Sequence, residues 1–237
     1  MTFAELQQEL SEVLAESSTR TFTTTQRKRW INRGVVEVCR LTRCLRKEVT
    51  KNIVAGDNTY DLVADWSLTD FIEFAPEGIV VKDSAAEPST RYTPLERRTV
   101  EWLDENVPGW RMTDTSLQSD SLQYYARLGK TVYIYPTPRA TVIGGFRVTY
   151  HYYPVQGTTV GGLVNDSDVP FDGWPDLEPY HYLPVLYAGW RALLKAGVPK
   201  AQVVLQEFRA GIEEMKRDLR RLSDYEPQLR VFQYRAR

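Results

Sequence analysis

Chemistry in this chain would have to come from few side chains. The 237 residues hold two histidines, His151 and His181, and two cysteines, Cys39 and Cys44. His151 falls on a predicted strand and His181 near a predicted helix start, and neither has a second ligand at metal-binding spacing. His181 therefore reads as a packed, hydrogen-bonded residue rather than a catalyst. Cys39 and Cys44 lie five apart on a predicted helix, a separation that does not put both on one face. They read as structural thiols rather than a disulfide or a metal site, and nothing joins either to a histidine as a nucleophilic pair. Gly144-Gly145 and Gly161-Gly162 lack the strand-to-helix context of a phosphate loop. Asp166, Asp168, Asp172 and Asp176 hint at calcium, but the ligand spacing and glycine of a binding loop are missing, so a solvated loop is expected. The expectation is no catalytic residue, no metal and no cofactor: the chain is not read as an enzyme.

Charge is the stronger signal. The formal net charge is −1, but residues 20–51 hold ten basic and two acidic side chains, and residues 52–176 hold nine basic and eighteen acidic. A basic pole beside an acidic middle suits directional contacts. Arg29, Arg33, Arg40, Arg43 and Lys47 share the face of the second predicted helix opposite its apolar stripe. Two functional readings follow, nucleic-acid binding and a charged protein partner, beside a plain solvated face. A nucleic-acid reader would ordinarily be basic overall, which this chain is not. Glu5, Glu9, Glu12 and Glu16 step along the first predicted helix with a matching period, so pairing between helices is favoured over DNA.

The elements that carry these residues follow from hydrophobic period. Thr2 and Glu5 form a capping box for a helix whose apolar face is Phe3, Leu6, Leu10, Val13 and Leu14. Threonines 23–25 offer caps for a second, with Ile31, Val35, Val38, Thr42 and Leu45 on its stripe. From Glu48 the period changes to that of strands. A hairpin is expected across Gly56-Asp57, strands near 71–74 and 79–81, and a short helix near 94–103. A second hairpin across Gly129-Lys130 and a strand over 146–153 complete a small antiparallel sheet. Residues 156–176 read as a long exposed loop, of the kind that is functional or a contact arm. A third helix carries Leu183, Leu186, Tyr187, Trp190 and Leu194, with Pro184 tolerable only in its first turn. A fourth runs from Pro199 to Leu222 with Val204, Phe208, Ile212, Met215 and Leu219 on one stripe. The expected fold is α+β. Residues 1–47 and 177–224 make a helical bundle, 48–176 an inserted β domain, and 225–237 an extended tail. No apolar run reaches the eighteen residues of a membrane span and no signal peptide opens the chain, so no membrane partner is expected.

The order of these pieces resembles the head-to-tail adaptor (connector) proteins of tailed phages. The matching stretches are Arg29-Trp30-Ile31-Asn32-Arg33-Gly34, residues 50–62 with Gly56-Asp57 and Tyr60-Asp61-Leu62, then Tyr124-Tyr125 and Val132-Tyr133-Ile134-Tyr135-Pro136. Val148-Thr149-Tyr150-His151-Tyr152-Tyr153-Pro154, Asp166-Ser167-Asp168, and Pro179-Tyr180-His181 with Tyr187-Ala188 follow. Pro184 and the length of the 156–176 loop depart from the family pattern. The resemblance implies a structural virion protein, made in the host cytoplasm and placed at the head–tail interface. It implies a ring of twelve copies that joins the portal to a tail or nozzle protein and lets DNA pass without sequence-specific binding. It implies a tail that reaches the portal, with Phe232 and Tyr234 as anchors and Arg230, Arg235 and Arg237 as ion partners. Arg33, Arg40 and Lys47, repeating every seven residues, would then face Glu5, Glu9, Glu12 and Glu16, or the acidic β domain, of a neighbouring subunit. The other reading is a cytoplasmic nucleic-acid-binding protein that uses the same basic face.

Overall fold

The structure, a computed structural model, describes residues 1–15, 22–82, 92–112, 118–171 and 174–233, without the side chains of 222–233. It is mixed α+β, and the chain divides into two units, Met1–Leu45 with Tyr153–Arg237, and Arg46–Tyr152.

The first unit is built on four helices: α1 (Phe3–Val13), α2 (Thr24–Thr42), and, past the second unit, α4 (Leu183–Lys195) and α5 (Ala201–Gln233); a short helix α3 (Val100–Asn106) belongs to the second unit. Both expected N-caps form as capping boxes, Thr2 with Glu5 on α1 and Thr23 with Gln26 on α2. Each satisfies two N–H groups that a helix start leaves bare. The stripes meet as their period requires: α4 packs against α1, α2 and α5, and Phe3, Leu6, Leu10, Ile31, Val35, Val38, Leu183, Val185, Phe208 and Met215 are buried. Each such aliphatic or aromatic side chain stabilises by about 1.5–3 kcal/mol. Pro184 sits in the first turn of α4, where no hydrogen bond is lost. Gly34 is there because α4 arrives so closely: a Cβ on it would lie 2.6 Å from the Pro184 carbonyl oxygen.

Two helix ends differ from expectation. Helix α2 stops at Thr42, with Arg43 in the left-handed conformation (φ 56°) as its cap. The apolar period runs on to Leu45, but the chain reverses at Arg43, and Lys47 lands on a strand. That reversal also brings Cys39 and Cys44 together as two free thiols in one buried site, where a continuous helix would have kept them on different faces. Burial pushes the Cys39 thiol well above the ordinary range. At the far end, α5 continues to Gln233, where the sequence reading stops it near Leu222 and expects an extended arm.

The second unit is a β unit with α3. Its long strands are β1 (Arg46–Ile53), β3 (Phe71–Lys82) and β10 (Val142–Tyr152). With β4 (Tyr92–Pro94) they form one sheet in the order β1-β10-β3-β4. A second sheet runs β2 (Thr59–Asp61), β8 (Thr131–Tyr135), β7 (Tyr124–Leu128), β5 (Glu96–Arg97). Short β6 (Gln118–Ser119) and β9 (Thr137–Pro138) pair beside them. The β7–β8 hairpin turns at Gly129-Lys130 as expected. The hairpin expected across Gly56-Asp57 does not form. The chain turns there, but β1 pairs with β10 (Val49 with Val148) and β2 with β8 (Tyr60 with Val132). The reason is burial: β1 and β2 line a core shared by both sheets, in which Tyr60 stacks on Trp66 at 5.5 Å and meets Phe146 edge-on at 5.3 Å. The expected short helix starts later, at Val100, because Thr99 caps it and residues 92–97 are taken by β4 and β5.

The stretch read as an exposed loop of the β domain belongs instead to the first unit. It opens with a small hairpin, β11 (Val155–Gln156) and β12 (Thr159–Val160), and buries Leu163 and Phe171. Asp166 and Asp168 accept from the backbone N–H groups of Ala4 and Phe3 through their own carbonyls, at 3.0 and 2.7 Å. These aspartates organise a packed connection. The Asp168 carboxylate accepts from the Val164 and Asn165 N–H groups, which holds its pKa below the usual range. Asp172 lies outside the described residues.

Candidate interaction surface

Among the described residues no three or more His, Cys, Asp or Glu gather as a metal site, and no helix is long and apolar enough to cross a membrane. The exposed face of α2 carries unneutralised charge. Arg29 and Arg33 stand one turn apart, both exposed, with no ion pair among the described residues. The other predicted cations are spoken for. Arg40 pairs with Glu37 on its own helix at 2.9 Å, and Arg43 caps α2. Lys47, on β1 of the other unit, pairs with Asp70 at 2.5 Å and lies 4.6 Å from the centroid of the Tyr152 ring. The Asp70 carboxylate also accepts from the Tyr150 hydroxyl at 3.1 Å, which, with burial, pushes that phenol far up. Arg33, Arg40 and Lys47 thus form no single stripe, because the helix that would align them ends at Thr42.

The acidic row on α1 is divided too. Glu5 accepts from the Thr2 N–H at 2.8 Å as part of the capping box. Glu9 is half-buried, and burial, with the neighbouring Glu12, pushes its pKa up. Glu12 is exposed, and Glu16 lies outside the described residues. What ties α1 to α2 is another contact, the buried Arg27 donating to the Ser11 hydroxyl at 2.7 Å. Arg230 and Phe232 lie on the last turns of α5, side chains undescribed, and Tyr234, Arg235 and Arg237 lie outside the described residues.

Between α2 and the β11–β12 hairpin runs a groove of about 650 Å³. Val36, Val160 and Val164 give it an apolar floor, and Arg29, Arg33 and Lys28 line its basic side. Lys28 is bridged to Asp166 at 3.3 Å, which leaves Arg29 and Arg33 as the charges open to a partner. Its walls are held together by Asn32. The Asn32 side chain is buried, accepts from the Leu163 N–H at 2.9 Å, and donates to the Leu163 carbonyl at 2.9 Å and the Lys28 carbonyl at 3.2 Å. The facing residue has to be glycine. Gly161 has φ +105°, and a Cβ there would stand 2.4 Å from the Asn32 carbonyl oxygen.

This explains the stretch 29–34 residue by residue: Arg29 and Arg33 face the groove, Trp30 packs edge-on to Phe22 at 5.1 Å, Ile31 is core, Asn32 clamps and Gly34 admits α4. The family model described as SU10 adaptor protein matches residues 1–231, which take in that stretch and every element of the fold but the last two residues of α5. The chain belongs to this family of phage head-to-tail adaptors. No curated protein matches the chain. Membership makes it a structural adaptor of the phage virion. The sequence picked out Arg29 and Arg33 but not the groove, whose second wall lies more than 120 residues further on. A polar Asn in mid-helix, between the arginine face and the apolar stripe, was the one local sign that something distant had to be held.

Proposed function

We propose that this adaptor assembles as a ring of twelve copies, which sits between the portal and a tail or nozzle protein and lines a passage for DNA without reading its sequence. The family match over residues 1–231 carries this reading. The helices of the first unit would form the ring body as a bundle, with the β unit inserted between them in the chain. The end of α5, with Arg230, Phe232, Tyr234, Arg235 and Arg237, would engage the portal; aromatic anchors beside arginines are what binding hot spots favour. Arg33, Glu12 and the acidic β unit are the charges still available for contacts between neighbours, while Arg40, Lys47 and Glu5 have partners within their own subunit. The segregation of basic and acidic stretches suits a heterologous interface, in which two different faces meet and rotation closes the ring. Electron microscopy of the purified chain mixed with its portal tests the proposal. Rings seated on the portal are expected, and deletion of residues 225–237 should leave rings but abolish portal binding. Unchanged portal binding by the deletion refutes the role given to the tail, and a chain that stays monomeric with its portal present refutes the ring.

A further inference from the structure

Exposed aliphatic side chains in the first unit fall largely into two patches. One is the groove just described, where Val160 and Val164 are 49% and 44% exposed. The other is the corner between α4 and α5, where Leu194, Val198 and Val203 are 48%, 39% and 52% exposed. We propose that the groove between α2 and the β11–β12 hairpin is a socket for the α4–α5 corner of a second copy of this chain. The inference rests on the reading of the chain as a ring-forming adaptor and names the surfaces that would join one subunit to the next.

Charge selects this occupant. The groove offers two guanidiniums, Arg29 and Arg33, four residues and so about 6 Å apart along one face of α2. An apolar floor beside unneutralised arginines calls for an aliphatic projection that carries a carboxylate. The corner supplies it: Glu207 is exposed, stands four residues after Val203 on the same face of α5, and has no ion pair among the described residues. The lysines at the corner keep their positive charge but reach back onto their own chain. The Lys195 ammonium lies 5.8 Å from the centroid of the Trp30 ring and the Lys200 ammonium donates to the Val13 carbonyl at 3.4 Å, both within the same chain. An amphipathic helix end laid into an apolar groove is a recurrent mode of recognition.

Geometry makes the contact intermolecular. At 100° per residue, Thr25, Arg29, Asn32, Arg33 and Val36 share one face of α2, and Trp30 points roughly 120° away from its centre. Trp30 is the side of α2 that the end of α4 reaches, through Lys195. The corner and the groove therefore belong to different sides of one helix, and a subunit cannot fill its own socket. Two unlike patches that face different ways link copies head to tail, and such a chain of contacts ends only when it closes as a ring.

Charge exchange tests the pairing, because the residues concerned are exposed and outside the core. Mass photometry and sedimentation velocity are run on the full chain and on E207R, R33E and the double variant E207R/R33E. Each single change sets like charges against each other and should weaken assembly by roughly tenfold; the double variant should recover most of that loss, with thermal melting unchanged throughout. Single variants that assemble like the parent refute the socket and leave the ring reading intact, as does a double variant no better than either single one. A parent chain that stays monomeric refutes the ring reading and the socket with it. R33E that assembles normally but loses affinity for a DNA duplex, measured alongside, assigns the groove to nucleic acid and overturns the proposal.

Discussion

Asn32→Ala should be among the costliest single changes in the helical unit, although it removes no apolar contact. The side chain makes three hydrogen bonds in a buried site, and two of them satisfy both backbone groups of Leu163. A hydrogen bond contributes about 0.5–1.5 kcal/mol net, but a buried donor or acceptor left without a partner costs about 1–3 kcal/mol. Alanine strands the Leu163 N–H and carbonyl together. Partial access of water through the open groove relieves some of this, so a loss of about 2–4 kcal/mol is expected. For a protein of this size that corresponds to a fall in Tm of roughly 4–16 °C. Asn32→Asp is the sharper variant, because it keeps the acceptor for the Leu163 N–H and sets a carboxylate oxygen against the Leu163 carbonyl. Urea unfolding gives the stability, and hydrogen exchange at the Leu163 amide locates the damage. A loss below 1 kcal/mol for Asn32→Ala, or a Leu163 amide as protected as in the parent, refutes the clamp.

Lys47→Met should destabilise the β unit by about 1–3 kcal/mol, since it leaves the Asp70 carboxylate, 13% exposed, with the Tyr150 hydroxyl as its one remaining side-chain partner among the described residues; assembly monitored by mass photometry should not change, and loss of rings without loss of stability would return Lys47 to an interface. His181 is buried and its pKa is lowered to about 4, first by burial and then by the Met1 amino group, whose nitrogen lies 3.1 Å from Nδ1. Below pH 6.5 the unfolded chain takes up a proton that the folded chain refuses. Stability from this group is therefore whole above pH 6.5 and is lost as pH falls toward 4, by roughly 2 kcal/mol at pH 5. Melting curves of the parent and His181→Gln at pH 7.5 and 5 check this, and equal pH slopes would refute it.

Much of the fold was legible because its determinants are local. The capping boxes at Thr2 and Thr23 are three-residue patterns, and the stripes of α1 and α5 bury the side they predict, whereas α4 buries Val185, Ala188 and Ala192 beside Leu183 and Tyr187 and leaves the predicted Leu194 exposed. What failed, the two helix ends apart, was a statement about distant partners. Gly56-Asp57 marks a turn, but a turn says where the chain reverses and not what each arm pairs with. The partner of β1 is β10, nearly a hundred residues on, and its pull is the shared aromatic core. The seven-residue repeat of Arg33, Arg40 and Lys47 had meaning only on an unbroken helix. Residue 43 in the left-handed region ended it, and Arg has no marked preference for that conformation that a reader could use. The groove was invisible for the same reason: one wall is a helix and the other a hairpin fixed to it by Asn32.

The charge asymmetry that stands out in the sequence and the apolar socket that stands out in the structure do different work in the proposed ring. An exposed ion pair contributes about 0.2–1 kcal/mol and is screened within about 8 Å at physiological salt. Two such pairs cannot hold subunits together. Burying Val203 in a neighbour's groove against Val160 and Val164 removes apolar surface on both partners, and a valine fully buried is worth at least about 1.5 kcal/mol. Affinity must therefore come mainly from the aliphatic contact. Direction comes from the charges: an apolar plug alone would fit its groove in several orientations, and a Glu207 carboxylate four residues from Val203 accepts only the one that brings it to Arg29 and Arg33. The basic pole and acidic middle act earlier still, orienting subunits before contact. On this division raised salt slows assembly more than it dissolves a finished ring, and the opposite order of sensitivity would show that the charges, and not the aliphatic plug, hold the subunits together.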